Sequence, residues 1–252
     1  MEYSCIVVGA GHAGIEAALA CARLGRTTLL VTQNPDAIGR MSCNPAIGGL
    51  SKGNLVREVD ALGGQMALLI DRTAIQWRLL NRSRGPAVQA PRAQADKEAY
   101  AHEARRAIET QPRLHVLMDT VVDLVASADG KRVEGVVTER GGSIGAPSVI
   151  VCAGTFLEGT VFIGSWRARS GRLGEPAALG LGSALRARGF PLGRMKTGTP
   201  ARIKAGSVDF SGLEIQRGDD ERFPFSFLGE AVSPIDVPCH VTYTHDRTHA
   251  VI

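Results

Sequence analysis

The sequence is poor in aromatic residues, which make up 5% of its 252 positions. That scarcity argues against a dedicated platform for stacking single-stranded bases. Its five cysteines (Cys5, Cys21, Cys43, Cys152 and Cys239) are odd in number and include no C-x-x-C pair. A disulfide scaffold or a zinc ribbon is therefore not expected, nor a metal site, and a reducing, cytoplasmic compartment fits better. No apolar run approaches the roughly 18 residues needed to cross a bilayer, so no membrane association is expected. Residues 1–4 lead straight into Cys5-Ile6-Val7-Val8, so neither a signal nor a transit peptide is expected. An excess of one charge is also lacking. The balance of 29 Lys+Arg against 25 Asp+Glu gives +4, too little by itself to announce a nucleic-acid binder. What is there, 44% hydrophobic and 21% charged residues, suits a soluble globular protein of one or two domains with a sizeable core.

The strongest local signal comes first. Ile6-Val7-Val8 runs into Gly9-Ala10-Gly11-His12-Ala13-Gly14, then into an Ala- and Leu-rich stretch with helical spacing that stops at Gly25. A second strand is expected over 27–32. This is the strand, G-x-G-x-x-G, helix, strand order of a dinucleotide fingerprint. Gly9 allows the tight turn, Gly11 lets backbone approach a pyrophosphate, and Gly14 lets the helix pack on the strand. The N–H groups that open the helix face the phosphates, where the helix dipole favours negative charge. His12 either donates to the pyrophosphate or caps the helix. The acid that usually holds a ribose hydroxyl is missing from the end of the second strand, Val31-Thr32-Gln33-Asn34, and Asp36 comes a few residues late.

Beyond the fingerprint, 37–53 reads as a glycine-rich loop of the kind that carries function in compact domains. Helical periodicity is expected over 54–70 and 92–109, a strand over 114–118, and a strand pair over 120–126 and 132–140 with a turn at Asp129-Gly130. A buried strand over 148–155 ends in Cys152-Ala153-Gly154, which returns the chain toward a flavin in two-dinucleotide-domain flavoproteins. Another helix is expected over 176–190, and β-like runs over 201–204 and 237–244. The fold class is α/β: a doubly wound, Rossmann-like FAD-binding domain over 1–195, with the start of a smaller α+β insertion domain over 196–252.

Charge says more locally than globally. Five arginines and no acid lie between Arg72 and Ala95, and nine basic residues face a single acid, Glu175, between Gly159 and Val208. Segregation of this kind is what a phosphate-backbone footprint looks like, and equally what a solvated basic face looks like.

Several runs together resemble one family. They are Gly9 to Ala18, Met41-Ser42-Cys43-Asn44-Pro45-Ala46-Ile47-Gly48-Gly49, Glu58-Val59-Asp60-Ala61-Leu62-Gly63-Gly64, Gly85-Pro86-Ala87-Val88, Arg92-Ala93-Gln94-Ala95-Asp96, Gly154-Thr155-Phe156-Leu157, Lys196-Thr197-Gly198-Thr199-Pro200 and Val237-Pro238-Cys239. The sequence resembles the glucose-inhibited division A (MnmG/GidA) family, the FAD-binding subunit of the enzyme that adds a carboxymethylaminomethyl group to C5 of the tRNA wobble uridine. The resemblance implies FAD, with Gly9, Ala10, Gly11, His12, Ala13 and Gly14 at its pyrophosphate and Val121 at its adenine end through backbone. It places a further flavin contact at Ala178, where many members have Ser, so a main-chain contact is the one left. It also implies NADH as reductant, methylene-tetrahydrofolate as one-carbon donor, glycine or ammonium as amine, tRNA as substrate, a homodimer, and a GTPase partner that docks in a region outside this sequence.

Cys43 matches a cysteine that the family uses in chemistry. Thiolate attack on C6 of a uracil makes C5 nucleophilic, and a thiolate needs a positive surrounding, for which Arg40 and Lys52 lie nearby in sequence. Nucleophile and general acid are both open for it. Cys5, Cys21 and Cys152 lie in apolar runs and read as small core hydrophobes. Lys196 faces flavin, RNA phosphate or solvent. Two other readings stand beside the family's: a flavin- and folate-dependent methyltransferase of the tRNA T-loop uridine, and a non-catalytic module that binds FAD, tRNA or a partner subunit.

Overall fold

A computed structural model of the chain describes residues 2–229 and 232–251; the outer limits of the two expected domains, residues 1 and 252, lie outside it. Strand β1 (Cys5–Val8) leads into helix α1 (His12–Arg23) and back to β2 (Thr28–Thr32). Strand β3 (Ala46–Gly48), helices α2 (Lys52–Ala61) and α3 (Met66–Thr73), and strands β4 (Ala74–Leu80) and β5 (Ala90–Ala95) follow. Helix α4 (Lys97–Glu109) precedes β6 (Leu114–Met118), the meander β7 (Val121–Ala126), β8 (Val133–Thr138) and β9 (Ser143–Gly145), and then β10 (Val149–Val151). A ribbon of β11 (Thr160–Ile163), β12 (Trp166–Arg172) and β13 (Glu175–Pro176) comes before α5 (Leu181–Ala187), and β14 (Glu214–Gln216), β15 (Cys239–Val241) and α6 (Asp246–Val251) close the chain.

The central sheet is parallel, with strand order β10-β1-β2-β6. Side chains of a strand alternate between its two faces, and here both faces are covered. Cys5, Val7 and Leu30 join the core with Ile15 and Leu19 of α1 and Ala104 and Ile108 of α4. Ile6, Val8, Leu29 and Val31 join the opposite core with Val121, Val136 and Leu181. Each fully buried Val, Leu or Ile among them contributes about 1.5–3 kcal/mol. The chain leaves β1 for β2 on one side and returns to β10 on the other, so the strand order reverses at the C-terminal end of β1. Ligands of open α/β sheets bind at such a reversal, and Gly9 stands there. The expected α/β class is thus observed, with helices on one face and a β-meander plus α5 on the other.

Several local expectations are corrected. The helix expected over 54–70 is two helices. Gly63 adopts φ +88°, its N–H bonds Asp60 O at 2.8 Å, and the Gly64 N–H bonds Val59 O at 2.9 Å. That is a Schellman stop, which ends α2. The helix expected over 92–109 begins only at Lys97, because Asp96 caps it by accepting from the Glu98 and Ala99 N–H groups at 3.0 and 3.1 Å; the preceding residues are β5. The loop over 37–53 contains β3, which pairs with β5. The helix over 176–190 shortens to α5, after Gly180 at φ +96°. Residues 201–204 form no strand, whereas 237–244 contains β15, paired with β14. The hairpin with its turn near Asp129-Gly130 is observed. Among the described residues no helix is long and apolar enough to cross a membrane.

The segment after residue 216 packs along β4 and α3. The Asp219 N–H bonds Trp77 O, the Val237 N–H bonds Ile75 O and the Ser233 N–H bonds Asp71 O. Asp71, fully buried, accepts from the Phe225 and Ser226 N–H groups at 2.9 Å each. Burial pushes its carboxyl up to about 6, against those two bonds and Arg57, with Asp60 adding to the rise. In an unfolded chain the group titrates near 3.8. Between these values the folded chain holds a proton that the unfolded chain has released, so lower pH favours folding through this group. Stability from Asp71 is therefore expected to decline as pH rises from about 4 to 6, and an Asp71→Asn variant should lose this dependence. Urea midpoints of both proteins at pH 4.5 and 7 check it, and parallel pH responses would contradict it.

Candidate cofactor and active site

The turn after β1 has no space for side chains at two of its glycines. Gly9 sits at φ +101°, and a Cβ built there would lie 2.5 Å from Cys152 O. A Cβ on Gly14 would lie 1.7 Å from Gly9 O. Gly11 differs: a Cβ there meets nothing within 4 Å, and the residue lines a cavity of about 1010 Å³. Gly11 is the N-cap of α1 and no side chain caps the helix, so its first N–H groups are left for a ligand. His12 supplies no cap either. Its Nδ1 is buried without a hydrogen-bond partner among the described residues, and its ring stands edge-on to Tyr100 at 5.5 Å. Burial lowers its pKa, which favours the neutral imidazole.

The end of β2 supplies the next stretch of wall. Thr32, Gln33 and Asn34 line the cavity. Gln33 donates through Nε2 to Thr120 Oγ1 at 3.2 Å, while its Oε1 is buried without a hydrogen-bond partner among the described residues. Asp36 is turned away, paired with Arg105 of α4 at 2.9 Å. Val121, 2% exposed, lines the cavity, and so does the half-buried Ala178. The Ala178 N–H is already bonded to Phe156 O at 2.8 Å, and its carbonyl accepts from Glu158 N–H at 2.9 Å. Only its methyl group and a second carbonyl lone pair remain for a ligand. Cys152, Ala153 and Gly154 close the floor beneath Gly9.

The glycine-rich loop brings Cys43 to the same cavity. Its thiol donates to Gly198 O at 2.6 Å, and its carbonyl accepts from Arg202 Nη2 at 2.5 Å. Thus the Lys196-Thr197-Gly198-Thr199-Pro200 run, 155 residues further on, lies over the cysteine. Arg172 holds the loop from the other side. It forks onto Glu175 at 2.6 and 2.8 Å and donates to Ser42 Oγ at 2.8 Å and to Arg40 O at 3.3 Å. Arg172 bonding first, then the charges of Arg172 and Arg40, hold the Glu175 carboxyl below the usual range. Arg40, expected as positive surrounding for Cys43, pairs with Glu175 at 3.3 Å; Lys52 lines the cavity. Gln33, Arg172, Glu175 and Arg202 were not singled out as site residues. Only the one-acid, nine-base composition of 159–208 hinted at three of them.

Cys152 borders the same cavity from its floor, whereas Cys5 and Cys21 lie at the core. Cys5 of β1 and Cys21 of α1 lie with sulfurs 3.8 Å apart, and burial, with Cys21 beside it, pushes the Cys5 thiol up to about 12. Burial also raises Cys152. Cys5 belongs to the core as expected, with Cys21 and Cys152 half-buried and packed against it.

A family model described as glucose inhibited division protein A matches residues 4–252. The chain belongs to that family. Two relatives are named tRNA uridine 5-carboxymethylaminomethyl modification enzyme MnmG. The one from Borreliella afzelii is 55% identical over 252 residues, covering 100% of this chain and 41% of that protein. The one from Treponema pallidum subsp. pallidum is 54% identical over 258 residues, with the same shares. Among solved structures, Aquifex aeolicus GidA superposes with a TM-score of 0.94 at 46% identity, covering 99% of this chain and 42% of that one. A GidA-related protein from Thermus thermophilus superposes with a TM-score of 0.54 at 22% identity, covering 86% and 73%, and shows the fold alone. The chain therefore spans about two fifths of the length of the curated family members it matches.

Proposed function

We propose that this chain is the flavin-binding part of an enzyme that adds a carboxymethylaminomethyl group to C5 of the wobble uridine in tRNA. One observation carries this reading: Gly9 to His12 of the dinucleotide turn and the reactive cysteine candidate Cys43 line one cavity. The names of the relatives support the substrate and the reaction. The residues present fit FAD. Gly9, Ala10, Gly11, His12, Ala13 and Gly14 would hold the pyrophosphate. Val121 would border the adenine end, and Ala178 would border the flavin side. The partnerless Nδ1 of His12 and Oε1 of Gln33 are polar atoms placed for such a ligand. Bound, the flavin supplies two-electron redox chemistry.

Cys43 is the chemical residue in this reading, acting on the uracil as a nucleophile at C6 or as a proton donor. In the arrangement described, its thiol proton rests on Gly198 O. Attack as a thiolate requires the 196–202 segment to shift, because a carbonyl oxygen repels an anion. Arg172, which lies outside that segment, keeps the loop in place meanwhile through Ser42 and the Arg40 carbonyl. NADH as reductant, methylene-tetrahydrofolate as one-carbon donor, a GTPase partner, a homodimer and a cytoplasmic setting complete the proposal. Five unpaired cysteines support the last of these. We also take 1–195 as the flavin-binding unit and 196–252 as the beginning of the smaller one, docked on α3 and β4. The complete reaction belongs to the longer protein. Nucleoside analysis of tRNA treated with that protein, the GTPase, folate and NADH tests the reading. Modified wobble uridine is expected; a methylated T-loop uridine, or unmodified tRNA, would overturn it.

A further inference from the structure

We propose that the β11–β12 hairpin is an RNA-docking ribbon that holds the anticodon loop at the mouth of the Cys43 cavity. This inference rests on the reading of tRNA as substrate and adds the surface that would meet it.

The hairpin pairs Thr160 with Arg169, Val161 with Ala168, Phe162 with Arg167 and Ile163 with Trp166. Directly opposed residues share a face, and alternate residues of a strand do so too. Thr160, Phe162, Arg167 and Arg169 therefore form one face. Phe162 is 65% exposed on it, and both arginines are exposed.

The nine basic residues of 159–208 separate once their partners are known. Arg172 is bound to Glu175, Arg186 to Glu158 and Arg188 to Asp123, while Arg194 donates to Glu158 O and Arg202 to Cys43 O. Arg167 and Arg169 have no ion pair or side-chain hydrogen bond among the described residues. Arg194 and Arg202 bond only to carbonyl oxygens and keep their charge, and Lys196 and Lys204 have no ion pair among the described residues. Of the six charges without a carboxylate, Arg167 and Arg169 are the two set side by side on one face of one ribbon. Two free guanidinium groups beside an exposed ring suit a flexible single-stranded RNA, with phosphates at the arginines and one base against Phe162.

Position completes the case. The inner end of the same strand carries Arg172, whose Nη1 holds Ser42, the neighbour of Cys43, at 2.8 Å. Thr155, which lines the cavity, is tied to Gly171 O of β12 at 2.8 Å. An RNA loop lying on the outer hairpin is therefore one strand's length from the reactive loop.

The test is fluorescence anisotropy with a labelled anticodon stem-loop carrying an unmodified wobble uridine, over a salt series. The proteins are the chain itself, Arg167→Ala/Arg169→Ala, Arg167→Lys/Arg169→Lys, Phe162→Ala and, as a control in the same basic stretch, Arg186→Ala. Each phosphate contact to a single strand adds about 0.7 to the slope of log affinity on log salt. The double alanine variant is expected to bind about tenfold more weakly at low salt, with a slope shallower by about 1.4. The double lysine variant should keep the slope, Phe162→Ala should weaken binding with no change in slope, and Arg186→Ala should bind as the unaltered chain does. Thermal unfolding of every variant should match. Binding by the unaltered chain with equal affinity and slope in the double alanine variant would overturn the hairpin and leave the tRNA reading intact. No binding by the unaltered chain would also overturn the hairpin as a docking ribbon, while the tRNA reading is decided separately by the nucleoside analysis of the longer protein.

Discussion

A Gly11→Ala variant is expected to fold as stably as the unaltered chain and to lose flavin, whereas Gly14→Ala is expected to lose both. The added methyl group at residue 11 meets nothing within 4 Å, and the backbone there (φ −74°, ψ −175°) suits alanine. It does, however, occupy the space through which a pyrophosphate reaches the start of α1. Flavin affinity should fall on the order of 100-fold, about 2.7 kcal/mol, with the unfolding midpoint of the flavin-free protein unchanged. At residue 14 the methyl group would stand 1.7 Å from Gly9 O, so the turn or the helix must move. Overpacking of this kind costs roughly 3 kcal/mol of stability, and the cradle goes with it. Equilibrium dialysis with FAD and urea unfolding of the flavin-free proteins separate the two outcomes. Full flavin affinity in Gly11→Ala would show that the turn does not hold a phosphate.

Cys43→Ser in the full-length protein should abolish wobble-uridine modification and leave flavin content unaltered. A serine hydroxyl can make the same bond to Gly198 O that the thiol makes at 2.6 Å, so the loop keeps its position. What is lost is the nucleophilicity or acidity of the thiol, terms worth roughly 100- to 10,000-fold. Flavin absorbance of the purified variant and nucleoside analysis of treated tRNA give the two readouts. Turnover at the original rate would remove Cys43 from the chemistry.

Much of this was legible in the sequence for physical reasons. The strand–turn–helix–strand unit is local in its spacing: Gly14 answers to Gly9 and Gly11 to the cofactor. Although Gly9 answers to the distant Cys152 carbonyl, its place at the turn is set by the motif, so spacing reveals the unit. The cap at Asp96 and the stop at Gly63-Gly64 are equally local signals, but the apolar periodicity runs on across both and masks them. The roof of the site is different. Nothing near Cys43 in sequence announces that Gly198 and Arg202 will cover it, because contacts across more than 150 residues depend on the whole tertiary arrangement. The ribbon over 160–172 was hidden in the same way. Its Arg-, Gly- and Trp-containing run lacks a clean two-residue alternation, and its inner end is fixed by the Arg172 fork onto Glu175. The local charge excess gave the right region; only the ion pairs show which arginines remain free.

The central claim is that 252 residues carrying this turn and this cavity retain a flavin. The most direct measurement is the visible absorption spectrum of the purified chain, before and after incubation with FAD and removal of the free nucleotide. The account predicts the spectrum of a bound flavin at close to one per chain. A colourless protein that cannot be reconstituted would contradict it.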